Sequence, residues 1–209
     1  MNVLYRQYEK IKDKTPSQQR LANQIFETLN KLKQHRDISA VQIALDQAKL
    51  TLGQYDSSTG EPVQESSVFK YLYDAQQNNF VGVSPQSLVD MYRNSIKFYK
   101  DLIDNIPSEQ IIDLTEEDKD SIADLKSLID DHIMPIWVQA IMKTGDEIVD
   151  NQIDSEVFAS DENKEDMKKV TKDWLHKNLM YGDITAVTSY VYNYSNSSNP
   201  VIKQAFHLI

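Results

Sequence analysis

The chain contains no cysteine. Disulfides, thiolate nucleophiles and zinc–thiolate sites are therefore excluded, and a reducing compartment fits. Glycine and proline are scarce, five and six in 209 residues. An all-β sandwich needs many turns, so this scarcity favours long helices with short connections. It also argues against a phosphate cradle, and neither GxxxxGK[ST] nor GxGxxG occurs. No window approaches the roughly 18 apolar residues of a membrane span. The opening residues, Met1-Asn2-Val3-Leu4-Tyr5-Arg6, have no apolar run after a basic segment, so no signal peptide is expected.

A surplus of basic residues is also missing. The net charge is −10, which argues against a general nucleic-acid binder because phosphate contacts need clustered Lys and Arg. The charge is uneven. Residues 113–166 hold 17 acids and 4 bases, whereas residues 1–52 hold 9 bases and 5 acids. The acidic stretch reads first as a solvated face. It could also orient the domain against a charged partner or mimic nucleic acid.

What is present is helical periodicity. The 40% hydrophobic content is enough for a packed core. Thr115–Lys143 reads as one long amphipathic helix, opening on Thr115-Glu116-Glu117-Asp118. Ile122, Leu125, Ile129, Ile133, Ile136 and Ala140 recur at spacings of three or four, and Leu128, Trp137 and Ile141 widen the stripe. That width places the helix at the centre of a bundle. The helix is expected to reach about residue 150, with a kink or break near Ile133–Met134 caused by Pro135 and with Gly145 as a possible stop.

Around it, the pattern predicts helices over 2–13, from Thr15-Pro16 to about Arg36, and from Asp37 or Ser39 to Leu52. The stripe of the second is Leu21, Ile25, Phe26, Leu29 and Leu32, and the tight connection to the third suggests an antiparallel hairpin. Residues 53–65 form the clearest long loop, a boundary, a mobile loop or a partner-binding loop. Further helices are expected over 66–77, from Ser84-Pro85 to about Asn105, over 161–181 and after Asp183. Met167, Val170, Trp174, Leu175 and Met180 are the expected core of the 161–181 helix. Residues 151–163 read as an acidic loop with one apolar pair, Val157 and Phe158.

The expected fold is therefore all-α, an irregular bundle of seven to nine helices around a long central helix kinked at Pro135. Its parts are an N-terminal helical hairpin region at 1–52, a main bundle at 66–195 packed with it as one compact unit, and a last helical start at 196–209. Ser197-Ser198-Asn199-Pro200 begins that last segment, and Val201, Ile202, Ala205, Phe206 and Ile209 give it an amphipathic pattern. It breaks off at an apolar residue without a cap, so the sequence is expected to be the N-terminal part of a longer chain.

Candidate chemistry is thin. The four histidines, His35, His132, His176 and His207, form no HExxH motif. Asp173-Trp-Leu-His176 puts an acid and an imidazole on one helical face, but a ferritin-like metal site needs a second such motif and further Glu. Asp130-Asp131-His132 resembles a catalytic cluster in composition alone. Its members fan out round a helix and read as a solvated face. The window Asp154–Glu165 fails as a calcium loop, with Ala159 where Gly is needed and Val157 and Phe158 in ligand positions. There is no GxSxG. Among eleven tyrosines, the one mixture with basic residues runs from Tyr92-Arg93 to Lys97-Phe98-Tyr99-Lys100. It could stack on single-stranded nucleic acid but fits a core with a solvated face equally well. Tyr190, Tyr192 and Tyr194 would equally suit a protein interface. No catalytic, cofactor-binding or metal-ligating residue is assigned, and protein partners are expected, including the rest of the same chain, with no membrane.

The segment Tyr190-Val-Tyr-Asn-Tyr-Ser-Asn-Ser-Ser-Asn-Pro-Val-Ile-Lys-Gln-Ala-Phe-His-Leu-Ile209 resembles a passage in very large virion-packaged proteins of crAss-like tailed phages, in which a polar Ser-Ser-Asn-Pro turn precedes an apolar helix. The resemblance covers 20 residues of the chain. It implies a helical fragment of a protein packaged in the capsid or tail and ejected with the genome, and it carries over no catalytic residue. The expected function is thus a non-catalytic helical structural or protein-interaction module, cytoplasmic or virion-associated. The alternatives are an accessory domain of a larger enzyme, such as a packaged polymerase, and an acidic regulator that mimics nucleic acid.

Overall fold

A computed structural model describes residues 16–155, 160–181 and 184–195, together with Arg6, Glu9 and Lys10. The described residues form seven helices and no strand, so the fold is all-α. The helices expected over 2–13 and after Pro200, the pair Val157–Phe158 and the Asp183 cap lie outside the described residues, apart from Arg6, Glu9 and Lys10, which are helical.

Helix α1 is Pro16–Leu52. The expected break near Arg36–Ser39 does not occur, so there is no hairpin between 16–36 and 39–52. The reason is local. The Ser39 hydroxyl donates to the His35 carbonyl one turn back at 2.9 Å, and Asp37 takes the Arg36 guanidinium at 3.0 Å. Both would-be caps are satisfied inside a continuing helix, and with no Gly or Pro beside them nothing stops it. The C-terminal half of α1 packs into the bundle through Ile38, Val41, Leu45, Ala48 and Leu52. Phe26 and Leu32, farther out, are about half exposed.

Gly53 stops α1 as the sequence suggested. Its φ is +101°, and a Cβ there would lie 2.5 Å from the Ser67 hydroxyl oxygen, so only glycine fits. Helix α2, Val68–Gln77, is capped by the Ser67 hydroxyl, which accepts from the Lys70 amide. Helix α3 starts on Ser84-Pro85 as expected. It runs from Pro85–Met91 through a π-helical turn at Tyr92–Ile96 into Lys97–Asp104. A short α4, Ser108–Ile112, follows; five residues are too few to show a period.

Helix α5 is the axis. It runs from Glu116–Ser127 through a π-helical turn at Leu128–Ile133 into Met134–Asp154. Thr115 and Asp118 form a reciprocal capping box at its start. The Gln42 side-chain amide donates to Asp118 at 2.8 Å, and with the Thr115 hydroxyl it holds this carboxyl below its usual range against the opposing effect of partial burial.

Pro135 neither breaks the helix nor ends it. In an α-helix its ring would strike the carbonyl four residues back. The wide turn before it takes up one extra residue, with the Met134 amide bonding to Ile129, five residues back. The core stripe is kept in phase across this turn: Ile122, Leu125, Leu128, Ile129, Ile133, Ile136, Trp137, Ala140 and Ile141 are all buried. Gly145 does not end the helix either. A Cβ at Gly145 would meet Leu175 at 3.4 Å and Val191 at 3.9 Å, so this glycine lets two later helices approach closely. Those helices are α6, Asp161–Tyr181, and α7, Ile184–Ser195. Trp137 is fully buried, and its indole N–H donates to the Leu88 carbonyl at 2.9 Å, so its polar atom is satisfied.

Replacing Ile129, 1% exposed, with Asp puts an unpartnered carboxylate in this core. The cost is comparable with the whole stability of about 5–15 kcal/mol. Ile129→Asp is therefore expected to abolish the cooperative thermal transition. Asp130→Asn removes one exposed ion pair to Lys100 and is expected to cost less than about 1 kcal/mol. Circular dichroism melts of both variants check this.

Candidate interaction surface

Two polar regions flank α5. The first is a cleft of about 290 Å³ between α5 and the 53–67 loop, lined by Lys49, Gly53, Gln54, Tyr55, Ser57, Asp124, Leu125 and Leu128. The loop folds back on itself through a bridge between Tyr55 and Pro62. Asp56 accepts from the Ser58 hydroxyl at 2.5 Å and the Ser58 amide at 2.7 Å, which lowers its carboxyl from the usual range. Tyr55 then lies on α5, its ring 4.2 Å from that of His132 and its hydroxyl donating to Ser127 at 3.3 Å. His132 is also 5.6 Å from the Phe69 ring. Of the trio Asp130-Asp131-His132, the two acids are exposed as expected, but the imidazole is half-buried and serves as a packing surface for the loop.

Two serines of α5 near the cleft, Ser121 and Ser127, are committed to structural bonds. Ser121 accepts from Lys49 at 2.6 Å and donates to the Glu117 carbonyl at 2.7 Å. Ser127 donates to Asp131 at 2.9 Å. No hydrogen bond joins His132 to a hydroxyl among the described residues, so no serine here has an imidazole base in place. No group of three His, Asp or Glu side chains among the described residues could hold a metal ion.

The second region is the contact between α5 and α6. Asp146, Asp150 and Asp154 recur every fourth residue on α5, and Lys168, Lys172 and His176 do the same on α6. The antiparallel helices pair them in reverse order. Asp146 lies 3.0 Å from His176 Nε2, Asp150 lies 2.6 Å from Lys172, and Asp154 lies 2.8 Å from Lys168. Lys168 also reaches Glu165 at 3.0 Å, and its two carboxylate partners hold its ammonium well above the ordinary lysine range. His176 thus pairs across the helix interface with Asp146, while Asp173, one turn before it on α6, is exposed to solvent. Leu175 and Leu179 fill the same interface from α6.

The opposite side of α6 corrects the sequence reading most sharply. Of the residues expected in its core, Leu175 alone is buried. Met167, Val170, Trp174 and Tyr181 follow at helical spacing along the side turned away from α5 and stay open: Val170 is 68% and Tyr181 83% exposed. Met180 beside them is 68% exposed, and Trp174 leans on Tyr190 at 5.8 Å between ring centres. The periodicity was real, but α6 has a second apolar face, and α5 takes the one built on Leu175 and Leu179.

The aromatic–basic mixture on α3 is largely used within the fold. Tyr92 stacks on Trp137 at 4.6 Å, Lys97 pairs with Asp101, and Lys100 pairs with Asp130. Arg93 bonds the Ser189 hydroxyl and sits 5.4 Å over the Tyr192 ring, and Tyr99 meets Thr51 at 3.3 Å. Phe98, 54% exposed, is the member left facing solvent. Tyr190 and Tyr194 are buried and stacked at 4.5 Å, and burial pushes both phenols above their usual range.

No family model, curated protein or solved structure matches the chain. No helix among the described residues is long and apolar enough to cross a membrane.

The Asp150–Lys172 rung is half-exposed, so it is worth about 0.2–1 kcal/mol. A double-mutant cycle with Asp150→Ala and Lys172→Ala is expected to give a coupling in that range, shrinking at high salt. The swapped pair Asp150→Lys with Lys172→Asp is expected to recover most of it. Zero coupling in urea unfolding would remove these pairs as a register device.

Proposed function

We propose that this chain is a non-catalytic helical module that receives an amphipathic protein segment on the outward face of α6. One observation carries the reading: the stripe of Met167, Val170, Trp174 and Tyr181, from 38% to 83% exposed, on a helix that buries Leu175 and Leu179 on its other side. Apolar residues placed at helical spacing on an exposed face suit a helix partner, with the aromatic side chains as anchors. The resemblance of residues 190–209 to virion-packaged phage proteins offers one setting, a scaffold piece within a larger ejected protein.

The acidic stretch lends less support to nucleic-acid mimicry, which needs one continuous acidic face. Three of its acids are turned into the α5–α6 ladder and Asp118 into the capping box, while Glu117, Asp120 and Asp124 lie on the distant first half of α5.

A photoreactive amino acid at Val170, in the full chain in its native setting, tests the reading. A mapped covalent adduct is expected, either to another polypeptide or to a distant part of the same chain, and Trp174→Asp should abolish it. The same adducts from a photoreactive group at exposed Glu162, or none from Val170, would count against it.

A further inference from the structure

The open face of α6 carries charges that complement those of a second copy of itself, an inference that rests on the interaction reading above. Val170, Trp174, Lys177 and Tyr181 follow one another at steps of four, three and four residues, so they lie in one row along the helix. Asp173 and Met180 flank that row on the same side, each one residue before a member of it. Asp173 and Lys177 are both exposed. Their spacing of four residues suits an ion pair within α6, yet neither makes one with any partner among the described residues. Lys168 and Lys172, on the side turned to α5, are both paired. Two opposite charges therefore stand unpaired beside an apolar row.

A two-fold axis perpendicular to α6, level with the midpoint between Asp173 and Lys177, lays a second α6 antiparallel on the first. Asp173 of each copy then comes level with Lys177 of the other, so both ion pairs form at once. The same register sets Trp174 level with Lys177 of the second copy, where the ammonium can lie over the indole, and sets Val170 level with Met180 and Tyr181. A parallel arrangement would bring Asp173 level with Asp173 and Lys177 level with Lys177, so charge selects the antiparallel one.

We propose that this chain forms a two-fold dimer through antiparallel contact of α6 with α6 of a second copy, with Asp173 paired to Lys177 in both directions and Val170 and Trp174 covered between the helices. The contact runs ~16 Å along each helix, at the small end of specific interfaces, so the dimer forms with rising concentration.

Sedimentation equilibrium of the full chain reads the association. Asp173→Lys and Lys177→Asp each turn two attractive pairs into two repulsive ones, and each alone is expected to weaken the dimer about tenfold with unchanged circular dichroism. Mixed in equal amounts the two variants are complementary, and the mixture is expected to recover the dimer. Trp174 gives a second readout. The only other tryptophan, Trp137, is fully buried, so acrylamide quenching that disappears in Trp174→Phe belongs to Trp174. That quenching is expected to fall as the chain dimerises. A chain that stays monomeric overturns the proposal, as does a dimer that survives both substitutions, a mixture that stays apart, or a dimer that leaves Trp174 as open as in the monomer. If the chain is monomeric while Val170 still gives a mapped adduct, only the second-copy assignment fails. A monomer with no adduct from Val170 sinks the interaction reading as well.

Discussion

Pro135 removes one amide hydrogen from the middle of the most deeply buried helix, and much of the architecture follows from how that gap is absorbed. A break would have split the core stripe into two halves facing different ways. Instead the turn before the proline widens by one residue, and the axis continues to Asp154. Leu128, Ile129 and Ile133 inside that turn are all buried, so the irregularity is held by packing on both sides. The same turn presents His132 to Tyr55 and Asp130 to Lys100. It therefore also positions the long loop and the end of α3.

A second π-helical turn, at Tyr92–Ile96, has no proline to explain it, yet it brings Tyr92 onto Trp137 two residues past Pro135. Trp137 in turn bonds the Leu88 carbonyl on the same helix as Tyr92. The two irregular helices are thus tied together near both wide turns by one tryptophan. At the far end of α5 the device is different. Gly145 lets α6 and α7 come close, and two ion pairs with the Asp146–His176 hydrogen bond fix which residues of α6 face inward. Ion pairs this exposed add little stability, so their effect is on register.

Much of this was legible in the sequence. The core stripe of α5, the Thr115 start, the Ser84-Pro85 start, the stop at Gly53 and the span of α6 all followed from periodicity and capping chemistry. The failures have physical causes. Asp37 and Ser39 resemble caps, but such side chains can also bond within their own helix, and only tertiary context decides. Gly145 resembles a stop when its environment is unseen. Pro135 was expected to disturb the helix near Ile133–Met134, and the disturbance is there as a π-helical turn at Leu128–Ile133; which form it takes is not legible in sequence. Periodicity located both apolar faces of α6 without saying which one meets α5. The missed signal was the four-residue spacing of Asp146, Asp150 and Asp154 against Lys168, Lys172 and His176, which a search for antiparallel charge complementarity would have found. Site chemistry was less legible, because His132 and His176 acquire their roles from Tyr55 and Asp146, partners distant in sequence.

The claim on which the rest depends is that α5 is one uninterrupted axis across Pro135. Native-state hydrogen exchange measures this directly. The account predicts that amides from Ile122 to Ile153 exchange as one slow cooperative group, with those of 129–134 as protected as their neighbours on either side. Rapid exchange confined to 129–136, between two slow flanks, would mean a broken helix and would contradict it.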